Sequence, residues 1–398
     1  MRIALVYDCL YPATVGGAER WLRALAEDLA EEHEVTYVTR RQWRRGEDPL
    51  PGVRCVTAAP GGGLYRSDGR RRLLPPALFA LGVFLHFVRH RRHYDTVHCL
   101  SYPFAPLVSV RTALVGRDVR VCCEWLECLS DAYWRSYGPV LGRVGALLQR
   151  LCLRLTPEAV VFSGHTARRL RENGFRGPVE LVGGLAFSTE AAGLDSENGA
   201  KGRSPLVLFA GRHVPDKRAA LVPDVIAAAR LQRADITAVI AGEGPERASV
   251  LRRIGELGLH GAIKAPGFVS PEELEALYRR AGCVLSPSLR DGYGMVVAEA
   301  AARGVPVVVC PGPDNAAAER VLNGVNGCVA ATAEPDDIGA AVVDVIDRGE
   351  ELRTSVARWY REHAEELSVH ATIRRVRALY SSERENGSAS GHGPPASG

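Results

Sequence analysis

The chain is nearly without lysine. Among its 398 residues lysine occurs three times, so arginine supplies 47 of the 50 basic side chains. The acidic side chains number 46, which leaves a formal net charge of +4. Proteins that bind nucleic acid gain affinity by neutralising many phosphates, and a charge this small does not favour that function. We therefore expect no nucleic-acid partner.

The sequence also lacks an apolar run long enough to cross a membrane. Its longest such stretch, residues 73–88, contains two prolines and a histidine and is shorter than the ~20 residues that a spanning helix needs. The N-terminal residues enter an apolar segment without the basic and apolar regions of a secretory signal. These absences predict a cytoplasmic protein.

Ten cysteines are present, but their spacing does not indicate a zinc site or a disulfide framework. Cys122, Cys123 and Cys128 cluster without the Cys-x-x-Cys spacing of zinc ligands. Disulfide frameworks are typical of short secreted chains. We expect reduced, mostly buried thiols.

The apolar segments indicate two similar halves. Residues 3–7 and 206–210 are continuous apolar runs, each followed by a glycine-containing loop and an amphipathic helix. Further short apolar runs alternate with helical stretches near residues 35–39, 96–98, 159–163, 237–241, 283–286 and 305–309. Strands that are apolar on both faces belong to buried parallel sheets, and their alternation with helices predicts doubly wound α/β domains.

The segment at residues 286–310 carries most of the chemistry. A loop with Gly292 and Gly294 precedes a predicted helix, and glycines at a helix start let an anion approach free backbone N–H groups. Asp291 and Glu299 are eight positions apart, which is ~12 Å along a helix. Such a pair of carboxylates could accept hydrogen bonds from hydroxyls at the two ends of a nucleotide-sugar. The alternative is a solvated carboxylate and an ordinary turn.

Two other loops of the second half favour the same ligand. Arg212 and Lys217 follow the first strand of that half, where two cations could meet a diphosphate, since ligands bind at strand carboxyl ends. Gly242, Glu243 and Gly244 follow another strand, where the backbone could approach a flat base. Each loop alone could equally be an ordinary solvated loop.

These segments resemble the retaining glycosyltransferases of family 4, which have the GT-B fold. The frame of the family's E-x7-E motif stands here as Pro287-Ser288, Asp291-Gly292-Tyr293-Gly294, Glu299-Ala300 and Gly304-Val305-Pro306-Val307. Other segments of this chain resemble further elements of the family. They are Gly211-Arg212 with Lys217, Ala241 to Pro245, Asn323-Gly324-x-Asn326-Gly327, Gly16-Gly17-Ala18-Glu19 and Val97-His98. The resemblance covers about residues 1–380.

Three positions depart from the family's pattern. The first acid of the motif is Asp291 rather than glutamate, so its carboxylate reaches one methylene less far. Leu100 stands where the family often has a second histidine. At the domain joint Gly183-Gly184-Leu185 replaces Asn-Gly-hydrophobic-Asp.

The resemblance implies two Rossmann-like doubly wound domains that face each other across an inter-domain cleft. The polar, aperiodic stretch at 188–204 is then the linker between an acceptor-side domain at 1–187 and a nucleotide-sugar-binding domain at 205–355. Residues 356–380 are expected to form a helix that crosses back to the first domain. The tail at 381–398, rich in glycine, serine and proline, is expected to be disordered.

The resemblance also implies transfer of a sugar from a nucleotide-diphosphate-sugar to an acceptor hydroxyl, with retained anomeric configuration. Arg212 and Lys217 would neutralise the leaving diphosphate, Asp291 would hold a sugar hydroxyl, and His98 would line the reaction centre. Glu299 would accept from the ribose hydroxyls. The full set of expected donor-binding residues is Gly16, Gly17, Gly211, Gly242, Glu243, Gly244, Gly292, Tyr293, Gly294, Met295, Val296 and Glu299.

We expect neither a metal nor another cofactor. No Asp-x-Asp occurs in the chain, and a metal that bridges a diphosphate needs such carboxylates. Arginine, lysine and backbone N–H groups would take its place.

The acceptor is expected to meet the first domain. Arginines border the apolar stretch within residues 66–92, and a basic, apolar segment can lie on an anionic membrane surface. Peripheral contact with the inner face of the membrane would suit a lipid-linked sugar or a cell-envelope glycan as acceptor. The alternative is an internal helix with solvated arginines, and a small-molecule aglycone stays open as the acceptor.

Two other functions stay open at this stage. A nucleotide-sugar 2-epimerase would need catalytic acids in the first domain and would lack the glycine loop at 16–19. A non-catalytic nucleotide-sugar-binding subunit should have lost Arg212, Lys217 or Glu299, and all three are present. A dehydrogenase is disfavoured because no Gly-x-Gly-x-x-Gly follows the first strand.

Overall fold

The first half of the chain folds around a parallel sheet of seven strands. In this computed structural model the described residues are 1–44, 46–63, 72, 74–187 and 204–382. The strands are β1 (Arg2–Val6), β2 (Glu34–Arg40), β3 (Arg54–Ala59), β4 (Thr96–Leu100), β5 (Arg120–Trp125), β6 (Glu158–Val161) and β7 (Val179–Leu181). Their order across the sheet is β3-β2-β1-β4-β5-β6-β7.

Helices cover both faces of this sheet because its strands are apolar on both sides. They are α1 (Gly17–Ala30), α2 (Leu74–His90), α3 (Phe104–Ala113), α4 (Asp131–Ser136), α5 (Pro139–Leu155) and α6 (Gly164–Glu172). Helix α1 packs on one face through Trp21, Leu22, Leu25 and Leu29, which recur at helical spacing. Helices α2, α3, α5 and α6 pack on the other face.

The second half forms a parallel sheet of six strands. These are β8 (Leu206–Ala210), β9 (Thr237–Ala241), β10 (Ile263–Gly267), β11 (Cys283–Ser286), β13 (Val307–Val309) and β15 (Gly327–Val329), in the order β10-β9-β8-β11-β13-β15. The short strands β12 (Arg290–Asp291) and β14 (Asp314–Asn315) pair separately. The helices are α7 (Val222–Gln232), α8 (Arg247–Glu256), α9 (Pro271–Arg280), α10 (Met295–Ala301) and α11 (Pro335–Leu367). Two doubly wound parallel domains confirm the predicted fold class.

The C-terminal helices return to the first domain. Helix α11 is kinked at Gly349, whose backbone is not helical, and its second part runs past residue 355 to Leu367, so no element boundary lies at the expected domain end. The break falls at Ser368, whose hydroxyl caps α12 (Val369–Ser381). Helix α12 then packs on the first domain, where Thr372 donates to the Gly184 carbonyl over 2.5 Å. Except for Ser204, Ser381 and Ser382, the expected linker and tail lie outside the described residues.

Two further properties bear on the sequence predictions. All ten cysteines are unpaired, and eight of them are buried. Within the described ranges, none of the helices is both long enough and apolar enough to pass through a bilayer.

Candidate active site at the domain interface

Loops from the two domains touch where the strands of both sheets end. A Cβ on Gly17, at the start of α1, would lie 2.2 Å from the sulfur of Met295, the first residue of α10. A Cβ on Gly292 would lie 2.3 Å from the Leu126 carbonyl oxygen, which follows β5. Glycine at these two positions therefore permits the domains to approach closely. The site is built from both halves.

Asp291 and Lys217 form an ion pair beside this contact. Asp291 Oδ2 accepts from Lys217 Nζ, and Oδ1 accepts from the N–H groups of Tyr293 at 3.1 Å and Gly294 at 2.7 Å. Burial alone would raise the pKa of Asp291. The charge and hydrogen bond of Lys217, with the two amides, outweigh burial and hold that pKa below its ordinary value. The carboxylate is thus ionised and aligns the Lys217 ammonium at the interface.

The amide cradle predicted at α10 is smaller than the sequence suggested. Gly294 adopts a left-handed backbone with φ of 80° ahead of the helix, but its N–H already donates to Asp291. Helix α10 has seven residues, so its dipole is weak. Of the backbone N–H groups expected to bind an anion, those of Met295 and Val296 lie in the first turn of α10. The start of α10 therefore offers an anion fewer free backbone N–H groups than the sequence predicts.

Arg290 joins the domains directly beside Asp291. Its guanidinium contacts Glu127 of the first domain at 3.2 Å and Asp216 of the second at 2.6 Å, and it lies 4.5 Å from the ring centre of Tyr133. Burial would lower the pKa of Arg290, but the two carboxylates raise it overall. Burial raises the pKa of Glu127, which Arg290 partly offsets. Neither Arg290 nor Glu127 was predicted from the sequence, although Arg290 adjoins the motif.

Arg212 lies close to the first turn of α1. Its positive charge lowers the pKa of Glu19, although burial raises that pKa overall. Glu19 accepts from the Tyr7 hydroxyl at 3.2 Å and folds over Gly16, where a Cβ would come within 2.3 Å of the carboxylate. The start of α1 therefore holds a protein carboxylate, and Arg212 faces it across the interface.

Glu299 lies on α10 between a cation and a phenol. Its two carboxylate oxygens accept from Arg20 at 3.3 Å and from Tyr278 at 3.2 Å. A quarter of its side chain stays exposed, so it can still accept from hydroxyls of a ligand. Arg20 and Tyr278 were not predicted.

The glycine loop after β9 packs on protein backbone rather than standing open for a base. Gly211 donates to the Ala241 carbonyl at 3.1 Å, and His213 donates to the Glu243 carbonyl at 2.8 Å. A Cβ on Gly242 would lie 1.8 Å from the Gly211 carbonyl oxygen, and Gly244 is packed similarly against His213. The side chain of Glu243 is half exposed and pairs with Arg247.

Two predicted site residues are placed elsewhere. His98 is completely buried, with Nε2 at 2.8 Å from Glu124 and Nδ1 at 2.7 Å from the Tyr380 hydroxyl. The prediction that it lines the reaction centre is wrong, because both ring nitrogens are used in the core. Tyr293 is also buried, and its hydroxyl accepts from the Leu185 N–H at 2.7 Å. Its side chain joins the domains and does not bind a donor.

No metal centre stands out in the described part of the chain. There, no group of three or more histidine, cysteine, aspartate or glutamate side chains is placed to share one ion. The polar side chains at the interface instead form pairs of opposite charge, as Lys217 does with Asp291.

Two family models match the chain, one on each domain. Residues 16–183 match the glycosyl transferase 4-like domain, and residues 194–362 match glycosyl transferases group 1. A D-inositol 3-phosphate glycosyltransferase of Mycolicibacterium gilvum is 32% identical, over 81% of this chain and 75% of the relative. A GDP-mannose-dependent alpha-(1-6)-phosphatidylinositol monomannoside mannosyltransferase of Mycolicibacterium smegmatis is 30% identical, over 84% of this chain and 87% of the relative.

The fold has close counterparts among solved structures. A crystal structure of Anabaena HepE in complex with UDP superposes with a TM-score of 0.71 at 18% identity, covering 96% of this chain and all of that one. Both domains and their order thus agree with the family models. The chain belongs to glycosyltransferase family 4 and has the GT-B fold.

Proposed function

We propose that this glycosyltransferase transfers a sugar from a nucleoside diphosphate donor to an acceptor hydroxyl, with retention and without a metal. The observation that carries the proposal is the Lys217–Asp291 ion pair at the domain interface, beside the contact of Gly17 with Met295. Lys217 is fixed in place before any ligand arrives. A preorganised cation of this kind stabilises the negative charge that develops on a leaving diphosphate.

In the proposed reaction the bond from the sugar C1 to the diphosphate oxygen breaks, and its electron pair goes to that oxygen. Lys217 and Arg212 neutralise the charge that appears there. The acceptor oxygen then bonds to C1 on the face that the leaving group has vacated, and its proton passes to the departing diphosphate. Configuration at C1 is retained because both events occur on the same face.

Asp291 is better suited to positioning than to attack on the sugar. It already accepts three hydrogen bonds, and its pKa is held low, so its oxygens are weak nucleophiles. One further lone pair is free for a sugar hydroxyl, which keeps the role expected from the sequence. In this proposal Glu299, farther along α10, accepts from the ribose hydroxyls.

The test uses water as a slow acceptor. UDP-glucose and GDP-mannose are incubated with the protein in EDTA, and the anomer of the released sugar is followed by proton NMR before mutarotation. We expect the α-anomer, at a rate that Lys217→Ala lowers by about two to three orders of magnitude, as for loss of one donor to a developing anion. Lys264→Ala, a change at an exposed lysine on β10, is the control. Release of the β-anomer would refute retention.

A further inference from the structure

Helix α2 carries a stripe of apolar side chains that nothing in the described part of the chain covers. Its members are three or four residues apart, which puts them on one side of the helix: Leu74, Leu78, Leu81, Leu85 and Val88. The opposite side of α2 is buried through Phe79, Val83 and Phe87. The helix is thus apolar all round, and one side lacks a protein partner.

Helix α5 carries a second stripe of the same kind. Its exposed members are Val140, Leu141, Val144, Leu147 and Leu151, and 61% of Leu147 is accessible to solvent. The buried sides of α2 and α5 pack into the same core cluster, with α3 between them, on one face of the seven-stranded sheet. Both stripes therefore point away from that face, to the same side of the molecule.

The charged side chains on the helices that carry and join the two stripes are all of one sign. Helices α2, α3 and α5 contain no aspartate or glutamate. Exposed arginines border the apolar side chains, namely Arg89 at the end of α2 and Arg143, Arg150 and Arg154 along α5. A second copy of the chain would bring these arginines against each other across a two-fold interface. An anionic surface with an apolar interior complements both the charge and the stripes.

We propose that the exposed sides of α2 and α5 form a docking surface for an anionic lipid bilayer. Apolar helix sides enter the boundary of the acyl chains while arginines meet the lipid phosphates. Helix α2 lies between β3 and β4, and α5 leads into β6, so in this parallel sheet both helices begin on the side of the carboxyl edge, where the interface with α10 lies. Docking would bring the bilayer beside the proposed site. The proposal rests on the first domain alone and does not depend on the proposed reaction.

Sedimentation with lipid vesicles tests this surface. The vesicles are phosphatidylcholine alone, or phosphatidylcholine with about one third phosphatidylglycerol. The full chain should sediment with the anionic vesicles and not with the neutral ones. Arg143→Gln/Arg150→Gln should weaken binding roughly 25-fold, about fivefold per arginine. Val144→Ser/Leu147→Ser should weaken it on the order of tenfold or more, because less apolar area is buried.

Matched controls change the same residue types outside this surface. Leu231→Ser on α7 alters a leucine that is 89% exposed, and Arg279→Gln/Arg280→Gln alters two exposed arginines on α9. Both should bind vesicles like the unaltered chain, and all variants should hydrolyse donor at the unaltered rate without vesicles. Equal binding to neutral vesicles, or equal losses in the controls, would overturn the proposal. So would a dimer in light scattering that Val144→Ser/Leu147→Ser converts to monomer.

Discussion

At the scale of single residues, Asp291 makes two kinds of contact that substitution can separate. Asparagine keeps a side-chain oxygen for the Tyr293 and Gly294 amides but loses the charge that pairs with Lys217. Alanine loses both. We expect Asp291→Asn to lower the free energy of unfolding by about 1–2 kcal/mol at neutral pH, and Asp291→Ala by about 1 kcal/mol more.

The contribution of Asp291 to the free energy of unfolding should depend on pH, and the direction of that dependence follows from its pKa. The pKa of Asp291 is lower in the folded chain than its ordinary value of about 3.9. Its contribution to stability is therefore complete above that value and is lost as the pH falls below it. Denaturant melts of the unaltered chain and of Asp291→Asn should differ at pH 7, and the difference should shrink as the pH falls below about 3.9. A constant difference across this range would contradict the ion pair.

Glu299 should matter more for the nucleotide than for the sugar. Amidation removes a charge-assisted acceptor, a loss of about 1.5–3 kcal/mol when the partners are ligand hydroxyls. Calorimetry should therefore give nucleoside diphosphate binding that is roughly 10- to 100-fold weaker for Glu299→Gln. Asp291→Asn should lose less affinity for that ligand than Glu299→Gln does, since Lys217 itself remains and the free lone pair of Asp291 faces the sugar. The reverse pattern would mean that the donor lies the other way along α10.

At the scale of elements, α12 fastens the C-terminus to the first sheet through a buried polar cluster. The Tyr380 hydroxyl contacts His98 Nδ1, and Glu124 accepts from both His98 and Trp21. Arg377 on the same helix binds Asp28 of α1 at 3.0 Å. The cluster explains why a histidine at a strand end is structural in this chain.

Tyr380→Phe tests that explanation. It leaves His98 Nδ1 buried without its partner, which should cost about 1–3 kcal/mol of unfolding free energy. Donor hydrolysis per folded molecule should not change, because the cluster lies away from the interface. Phenylalanine at the half-buried Tyr11, as Tyr11→Phe, is the control for loss of a hydroxyl. A fall in turnover without a fall in stability would contradict this explanation and would indicate that His98 acts at the reaction centre.

The elements that the sequence predicted are those with uninterrupted apolar runs. Strands β8, β9 and β11 agree with their predicted bounds, because nothing polar interrupts them. Strand β5 was missed since its sequence, Arg-Val-Cys-Cys-Glu-Trp, contains a glutamate that is buried only through contacts with distant residues. Strand β10 was missed because lysine and proline break its pattern. Local sequence therefore predicts the strands that are apolar throughout. It does not predict strands whose polar residues are accommodated by contacts with distant parts of the chain.

At the scale of the whole molecule, the site depends on contacts that only the folded chain creates. The E-x7-E motif predicted Asp291 and Glu299, and the loop after β8 predicted Lys217. The structure brings all three to one interface. Arg290 and Glu127 could not be paired from sequence, because 163 positions separate them and their contact needs both domains. Sequence motifs locate residues that bind a ligand, whereas residues that hold two domains together follow from the docking of those domains.

Arg290→Met tests whether that guanidinium holds the domains together. It leaves Glu127 and Asp216 facing the site without their shared cation, so we expect the domains to separate and the radius of gyration to rise in X-ray scattering. Arg303→Met is a matched control, since Arg303 also joins a carboxylate, Glu275, to a tyrosine ring but within one domain. It should lower stability and leave the radius unchanged. Equal radii for both variants would contradict a role for Arg290 between domains.

The central claim is that Lys217, placed by Asp291, holds the donor's diphosphate without a metal. Titration calorimetry in EDTA with UDP and GDP, and with the corresponding nucleosides, tests it most directly. We predict that one of the two diphosphates binds in EDTA, that its nucleoside binds far more weakly, and that Lys217→Ala loses tenfold or more in affinity while Lys264→Ala does not. Binding that requires added magnesium, or equal affinity of Lys217→Ala and the unaltered chain, would contradict the account.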